Sequence, residues 1–119
     1  MILTGVLPAN AVVTGSLSFF NCSPVFPPGI HITGNLRVMC CGRGTRLAPG
    51  MTVGGVADFT QTPLRRLPPR FTVGVCLDVN DTFIREFPPD LKVGQLIQVS
   101  RSAPAAMHAV AATVNNSSL

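Results

Sequence analysis

Few residues of this sequence could perform acid–base or nucleophilic chemistry. The chain of 119 residues has five acidic residues and two histidines, His31 and His108, which lie far apart. Asp58 and Asp78 are the most suggestive pair, because two neighbouring carboxylates can divide the roles of general acid and general base. The pattern implies no pocket around them, and an enzyme would need one in which ionisable groups converge. We therefore predict a protein that is not an enzyme, with no catalytic residues and no cofactor.

The cysteines do not indicate a metal site. They are Cys22, Cys40, Cys41 and Cys76. No C-x-x-C spacing occurs, and no histidine cluster accompanies them, whereas a structural zinc ion needs four converging ligands. The sequence predicts free thiols in a reducing compartment and no bound metal.

The charge balance gives a weak indication of a partner. The formal net charge is +4, and arginine supplies eight of the nine basic residues. These arginines are scattered, with one adjacent pair at Arg65-Arg66, and Trp and Tyr are absent. Scattered charge without these aromatic stacking platforms argues against nucleic-acid binding. No run of eighteen apolar residues is present, so no membrane span is predicted.

A repeat of about twenty residues organises most of the chain. An apolar residue ahead of a proline recurs with spacings of 19, 21, 20 and 20 residues. Four further positions keep their character in all five copies. The five columns are Leu7, Phe26, Leu47, Leu67 and Phe87; Val13, Ile32, Val53, Val73 and Val93; Leu17, Leu36, Ala57, Leu77 and Ile97; Phe19, Val38, Phe59, Val79 and Val99; and Cys22, Cys41, Thr62, Thr82 and Ser102.

The repeat predicts a solenoid whose copies share one core. In "VCLDVND", Leu77 and Val79 alternate with Asp78, which is the period of a strand. Such a short strand becomes stable when equivalent strands of neighbouring copies pair in parallel. The last column places a hydroxyl or thiol at a turn, where it can bond backbone groups of the neighbouring copy. We expect a parallel sheet on one face and irregular, proline-rich return segments.

The motif "LDVNDTFIREFP" resembles the core of the short bacterial leucine-rich repeat, and "LPPRFTVG" is similar to its return segment. The resemblance covers Leu7 to about Ser102. The repeat is similar to those in recognition domains of effectors that Gram-negative bacteria secrete, and it resembles still more closely a group of uncharacterised bacterial repeat proteins. The resemblance implies a leucine-rich-repeat-like fold, protein–protein recognition, and a location in a reducing cytoplasm or a host-cell cytosol. The sequence departs from the family at Ala57, which thins the core, and in having Thr, Cys or Ser at the family's inward Asn.

Strand alternation predicts which side chains face away from the core. The candidate partner-binding residues are Phe20, Arg37, Met39, Val56, Asp58, Cys76, Asp78, Leu96 and Gln98. Apolar anchors around a few charges are typical of a protein-binding face. The alternative is that the chain's own tail or a second copy covers this face. The arginines and Glu86 of the return segments are interpreted as solvated charges.

The chain is divided into three parts. Residues 1–6 are a stub or cap, 7–102 form the five-unit solenoid, and 103–119 are an Ala-rich cap or tail. Ser102 could cap a helix from about Pro104 to Val114, followed by a frayed end. The main functional prediction is a protein-binding module. The alternative is a structural repeat protein that self-assembles through its ends or its sheet, because unpaired end strands invite further pairing.

Overall fold

The structure, a computed structural model, describes residues 8–100 and 103–117. The chain winds into a parallel β-solenoid in which each copy of the repeat forms one rung with two short strands. The elements are β1 Val12–Val13, β2 Leu17–Phe20, β3 His31–Ile32, β4 Leu36–Met39, β5 Thr52–Val53, β6 Val56–Asp58, β7 Thr72–Val73, β8 Cys76–Asp78, β9 Lys92–Val93, β10 Leu96–Gln98 and α1 Ala105–Ser117.

The strands form two five-stranded parallel sheets. One sheet has the order β1-β3-β5-β7-β9, and the other has the order β2-β4-β6-β8-β10. Residues of one column pair across the rungs, as where Leu77 is in register with both Ala57 and Ile97. The predicted repeat solenoid with a parallel sheet is therefore confirmed. The first sheet is an addition to it, because we expected the rest of each copy to be irregular.

Glycines occupy the corner between the two strands of the later rungs. The N–H of Gly74 donates to the carbonyl of Val53 at 2.8 Å, and the N–H of Gly94 donates to Val73 at 2.9 Å. A Cβ added to Gly74 would overlap the carbonyl oxygen of Gly54, and one added to Gly94 would overlap that of Gly74. The corner needs glycine because the backbone of the preceding rung fills the space that a side chain would take.

The core lies between the two sheets and is tightest in the middle rungs. Ala57 is fully buried, and so are Phe59 and Phe71, whose ring centroids are 6.1 Å apart. These two large side chains fill the space beside the small side chain of Ala57. Leu17 and Val93, in the outer rungs, are only partly buried. The thin core predicted at Ala57 is thus compensated by the aromatic residue two positions later.

The column of small polar residues bonds to the neighbouring rung as predicted. The hydroxyl of Thr62 donates to the carbonyl of Val38 at 2.7 Å and accepts the N–H of Cys41 at 3.3 Å. Both partners belong to the preceding copy. Thr82 differs, since its hydroxyl donates within its own copy, to the carbonyl of Val79 at 2.8 Å. The column thus supplies partners that buried turns require.

The C-terminal helix closes one end of the core. Met107 and Ala111 of α1 are buried and belong to the same apolar cluster as Ile97 of β10. The predicted capping helix is confirmed, although it ends at Ser117 rather than near Val114, since no Gly or Pro follows Pro104 to stop it. The predicted stub at residues 1–6 and the predicted cap Ser102 lie outside the described residues. Within the described part of the chain, no helix has the length and apolar character that crossing a bilayer requires.

Candidate functional site

The nine predicted site residues share one surface, the side of the β2–β10 sheet that faces away from the core. We call this surface the outer face. In β6 and β8, buried Ala57 and Leu77 alternate with partly buried residues that point the other way. The alternation along the strands therefore predicted correctly that these residues point away from the core. The members of the outer face are Phe20, Arg37, Met39, Val56, Asp58, Cys76, Asp78, Leu96 and Gln98.

Two groups of apolar side chains lie on the outer face. Val56, Cys76 and Leu96 are in register on three consecutive strands, and all three are partly buried by their neighbours. Phe20 is in register with Met39 on the first two strands of the same sheet. The Phe20 side chain is 58% exposed, although phenylalanine is normally among the buried residues. An exposed aromatic ring therefore lies beside a methionine on this surface.

A row of polar residues runs between the two apolar groups. Arg37, Asp58, Asp78 and Gln98 are in register on consecutive strands. Residues in register on adjacent parallel strands are about 4.8 Å apart, so the two carboxylates are close neighbours that repel one another. The centre of the row is therefore acidic, with a cation on one side.

Each carboxylate is held by its own rung. Asp58 accepts the Thr60 N–H at 3.0 Å together with the Thr60 hydroxyl. Asp78 accepts the Asn80 N–H at 2.9 Å and the Asn80 side-chain amide at 2.8 Å. These local bonds fix the end of each strand, as aspartate commonly does in turns. They give the two carboxylates a structural role.

The thiol of Cys76 lies beside the two carboxylates of the polar row. Burial raises the pKa of Cys76, and the negative charges of Asp78 and then Asp58 raise it further. The thiol is therefore neutral at pH 7 and acts as a small apolar group between Val56 and Leu96. Among the described residues, no group of three His, Cys, Asp or Glu side chains could hold a metal ion.

Comparisons with protein families, curated proteins and solved structures found no match. The likeness to bacterial leucine-rich repeats therefore rests on the residues of the repeat themselves.

Two open grooves lie away from the outer face. The smaller, of about 490 Å³, is lined by return segments, and the larger, of about 970 Å³, is lined by return segments together with Met107 of α1 and the residues just before that helix. Neither is lined by Asp58 or Asp78. Both are lined by Arg43, Arg65 and Arg66. The sequence led us to interpret Arg65 and Arg66 as solvated charges. The sequence signal for these grooves was the adjacent arginine pair in a return segment.

Proposed function

We propose that the protein is a non-catalytic recognition module that binds a protein partner on its outer face. The observation that supports this most directly is the 58% exposed ring of Phe20 in a row with Met39. Water is displaced from such a surface when a partner covers it, and this displacement favours binding. The parallel strands provide a firm platform, because every strand inside the sheet is bonded on both sides.

The size of the outer face indicates an interaction of modest strength. Five strands at about 4.8 Å spacing span about 19 Å, and three or four residues along each strand span about 10–13 Å. That gives only a few hundred Å², compared with about 800 Å² per partner in a standard interface. At about 25 cal/mol per Å² the gain is several kcal/mol before the costs of association. We therefore expect a weak, transient complex unless the partner also contacts neighbouring loops.

The polar row would determine which partner binds. Asp58 and Asp78 form an acidic centre, and Arg37 lies on the next strand. A partner with a basic side chain opposite the two carboxylates and an acidic one opposite Arg37 would match this pattern. A partner with the reverse arrangement would bury like charges against each other. The resemblance to effector recognition domains supports the same proposal, in which the chain is a bacterial effector or the recognition part of one.

Placing a charge in the apolar group formed by Val56, Cys76 and Leu96 tests this proposal. We expect Val56→Asp and Leu96→Asp to weaken binding at least tenfold, because each adds a third carboxylate beside the acidic row and removes an apolar contact. The immobilised protein would first be used to capture and identify a partner. Affinities of the purified partner would then be measured by calorimetry, with circular dichroism as a check on folding.

A matched control is available on the other sheet. Val12 of β1 is 66% exposed, so Val12→Asp makes the same substitution away from the outer face. It should leave the affinity for the partner unchanged. Equal affinity of the wild type, Val56→Asp and Leu96→Asp would overturn the proposal.

Self-assembly is the second candidate function, and Val12 is the observation that favours it. This exposed valine belongs to β1, which has β3 as its one neighbour among the described strands. A strand with a free edge can pair with another chain. We expect a self-assembling protein to increase in mass with concentration in multi-angle light scattering. A constant monomer mass would exclude this alternative.

A further inference from the structure

The smaller groove on the return segments, which we call the arginine groove, is strongly basic. Its volume is about 490 Å³. It is lined by Arg43, Thr45, Arg46, Leu47, Pro49, Pro63, Leu64, Arg65, Arg66, Leu67, Pro68, Pro69 and Phe83. Four of these residues are arginines and none is acidic. A groove of this composition favours an anion, because guanidinium groups stay charged at every physiological pH.

The arginine groove lies where the repeat is irregular. The spacing between the second and third copies is 21 residues, and the extra residue falls in "CGRGTR". The Thr45 N–H donates to the carbonyl of Gly42 at 3.1 Å, which closes a tight turn containing Arg43. The next residue returns to the regular pattern, since the Arg46 N–H donates to the carbonyl of Pro24 at 2.9 Å. The extra residue thus adds a turn at the edge of the groove.

Arginines of consecutive rungs come together in this groove. Arg46 and Arg66 are twenty residues apart and occupy the same position in consecutive copies, directly before Leu47 and Leu67. Equivalent positions on adjacent rungs are about 5 Å apart along the stack, so these two like charges repel each other. No acidic residue lines the arginine groove, although Asp81 and Glu86 line the larger groove together with Arg43, Arg65 and Arg66. An anion between Arg46 and Arg66 would relieve this repulsion.

A buried hydroxyl without a partner lies in the wall of the arginine groove. Thr45 is only 7% exposed, and its Oγ1 atom makes no hydrogen bond within the described part of the chain. The comparison with Thr62 shows how unusual this is, since that buried hydroxyl has two backbone partners. An unbonded buried hydroxyl costs free energy, which a ligand atom can recover. The Oγ1 atom is itself closed off from solvent, so it must turn towards a ligand in the groove by rotation about χ1 of Thr45, which leaves the backbone in place.

We propose that the arginine groove binds a small phosphate-bearing anion, with Arg65 and Arg66 on its oxygens and the Thr45 hydroxyl donating to one of them. The planar guanidinium group matches the spacing of phosphate oxygens and can bind two of them at once. A group with more than one negative charge is favoured over a single carboxylate, because four arginines surround the groove. The exposed ring of Phe83, which also lines the groove, can cover an apolar part of the ligand.

Inorganic pyrophosphate is a suitable probe for this site. Isothermal titration calorimetry of the full chain at constant ionic strength should show saturable binding to one site. We expect the double substitution Arg65→Gln/Arg66→Gln to weaken it at least tenfold, because two charge-assisted bonds are lost. Thr45→Val keeps the shape and the charge of the groove, and we expect it to weaken binding about tenfold.

The control must make the same change in net charge elsewhere. Arg70→Gln/Lys92→Gln also removes two exposed positive charges, and neither residue lines either groove. This control should bind pyrophosphate within twofold of the wild type. Equal weakening in both double variants, or unchanged binding by Thr45→Val, would overturn the proposal.

Two further experiments distinguish this anion site from a nucleic-acid surface and from the outer face. Salt-sensitive binding of a single-stranded oligonucleotide without saturable pyrophosphate binding would overturn the proposal and indicate a nucleic-acid surface instead. The variants Val56→Asp and Leu96→Asp should bind pyrophosphate normally, because the outer face is separate from the groove. Failure of the partner-binding proposal would therefore leave this one unaffected, and the reverse also holds.

Discussion

Replacing Phe59 with alanine is expected to lower the free energy of unfolding by about 3–5 kcal/mol. Phe59 is fully buried and packs against Phe71 at 6.1 Å between ring centroids. The residue two positions earlier is Ala57, which is also fully buried and too small to fill the space. The cavity therefore cannot be closed from that side. Urea unfolding followed by far-ultraviolet circular dichroism would measure the change.

Phe83→Ala provides the comparison. Phe83 is 55% exposed, so the same truncation should change stability by no more than about 0.5 kcal/mol. A loss of about 4 kcal/mol is a large part of the roughly 5–15 kcal/mol that stabilises a typical domain. Phe59→Ala could thus be partly unfolded at 37 °C. Similar losses in the two variants would contradict the described core.

Gly74→Ala is expected to destabilise the protein by about 3 kcal/mol, at the upper end of the effects of inserted atoms. The new Cβ would overlap the carbonyl oxygen of Gly54, which belongs to the backbone of the preceding rung and cannot rotate away. Relief requires the two rungs to separate, which strains the bond from the Gly74 N–H to Val53. The sign is informative, because Gly→Ala at an unstrained position stabilises a protein by about 0.4–1 kcal/mol.

Gly42→Ala distinguishes this clash from a general effect of losing glycine. The atom nearest to a Cβ at Gly42 is the hydroxyl oxygen of Ser23 at 2.7 Å, the end of a side chain that can shift, although the interaction that Ser23 makes is then disturbed. We expect this variant to lose no more than about 1 kcal/mol. Thermal unfolding monitored by circular dichroism on both variants would measure the difference. A Gly74→Ala protein as stable as Gly42→Ala would show that the rungs are not closely stacked at this corner.

The sequence predicted that the copies stack on one another and which residues point into the core, because the same pattern occurs five times along the chain. Leu36, Ala57 and Leu77 are in register as the spacing required. The period of the strand also predicted which residues point away from the core, so the positions of Phe20 and Asp78 on the outer face were readable. In contrast, partial exposure of Leu17 reflects its place in the first rung, which has no further described rung on one side.

The β1–β9 sheet could not be predicted from the sequence, since its strands are only two residues long. A dipeptide such as Thr52–Val53 shows no alternation, and it extends only because Thr72–Val73 and His31–Ile32 pair with it on both sides. Pairing of this kind arises from the stack as a whole. The sequence could have suggested it through the recurring Thr-Val-Gly, in which glycine marks the corner.

The arginine groove could be predicted from the sequence only in part. The extra residue near Arg43 was visible as a tolerated insertion in a turn, and the arginines were visible as charges on a solvated surface. What the sequence could not show is that this turn buries Thr45 without giving its hydroxyl a partner. That depends on the path of the backbone between Gly42 and Arg46, which the spacing alone does not determine.

The corner bonds from Gly74 to Val53 and from Gly94 to Val73 connect only consecutive copies. An additional twenty-residue unit placed between the third and fourth copies would find the same donors and acceptors above and below as its neighbours do. The number of copies is therefore not fixed by the interior of the solenoid, because each interior copy interacts only with its two neighbours. The last rung differs, because helix α1 packs Met107 and Ala111 against its core instead of a further copy.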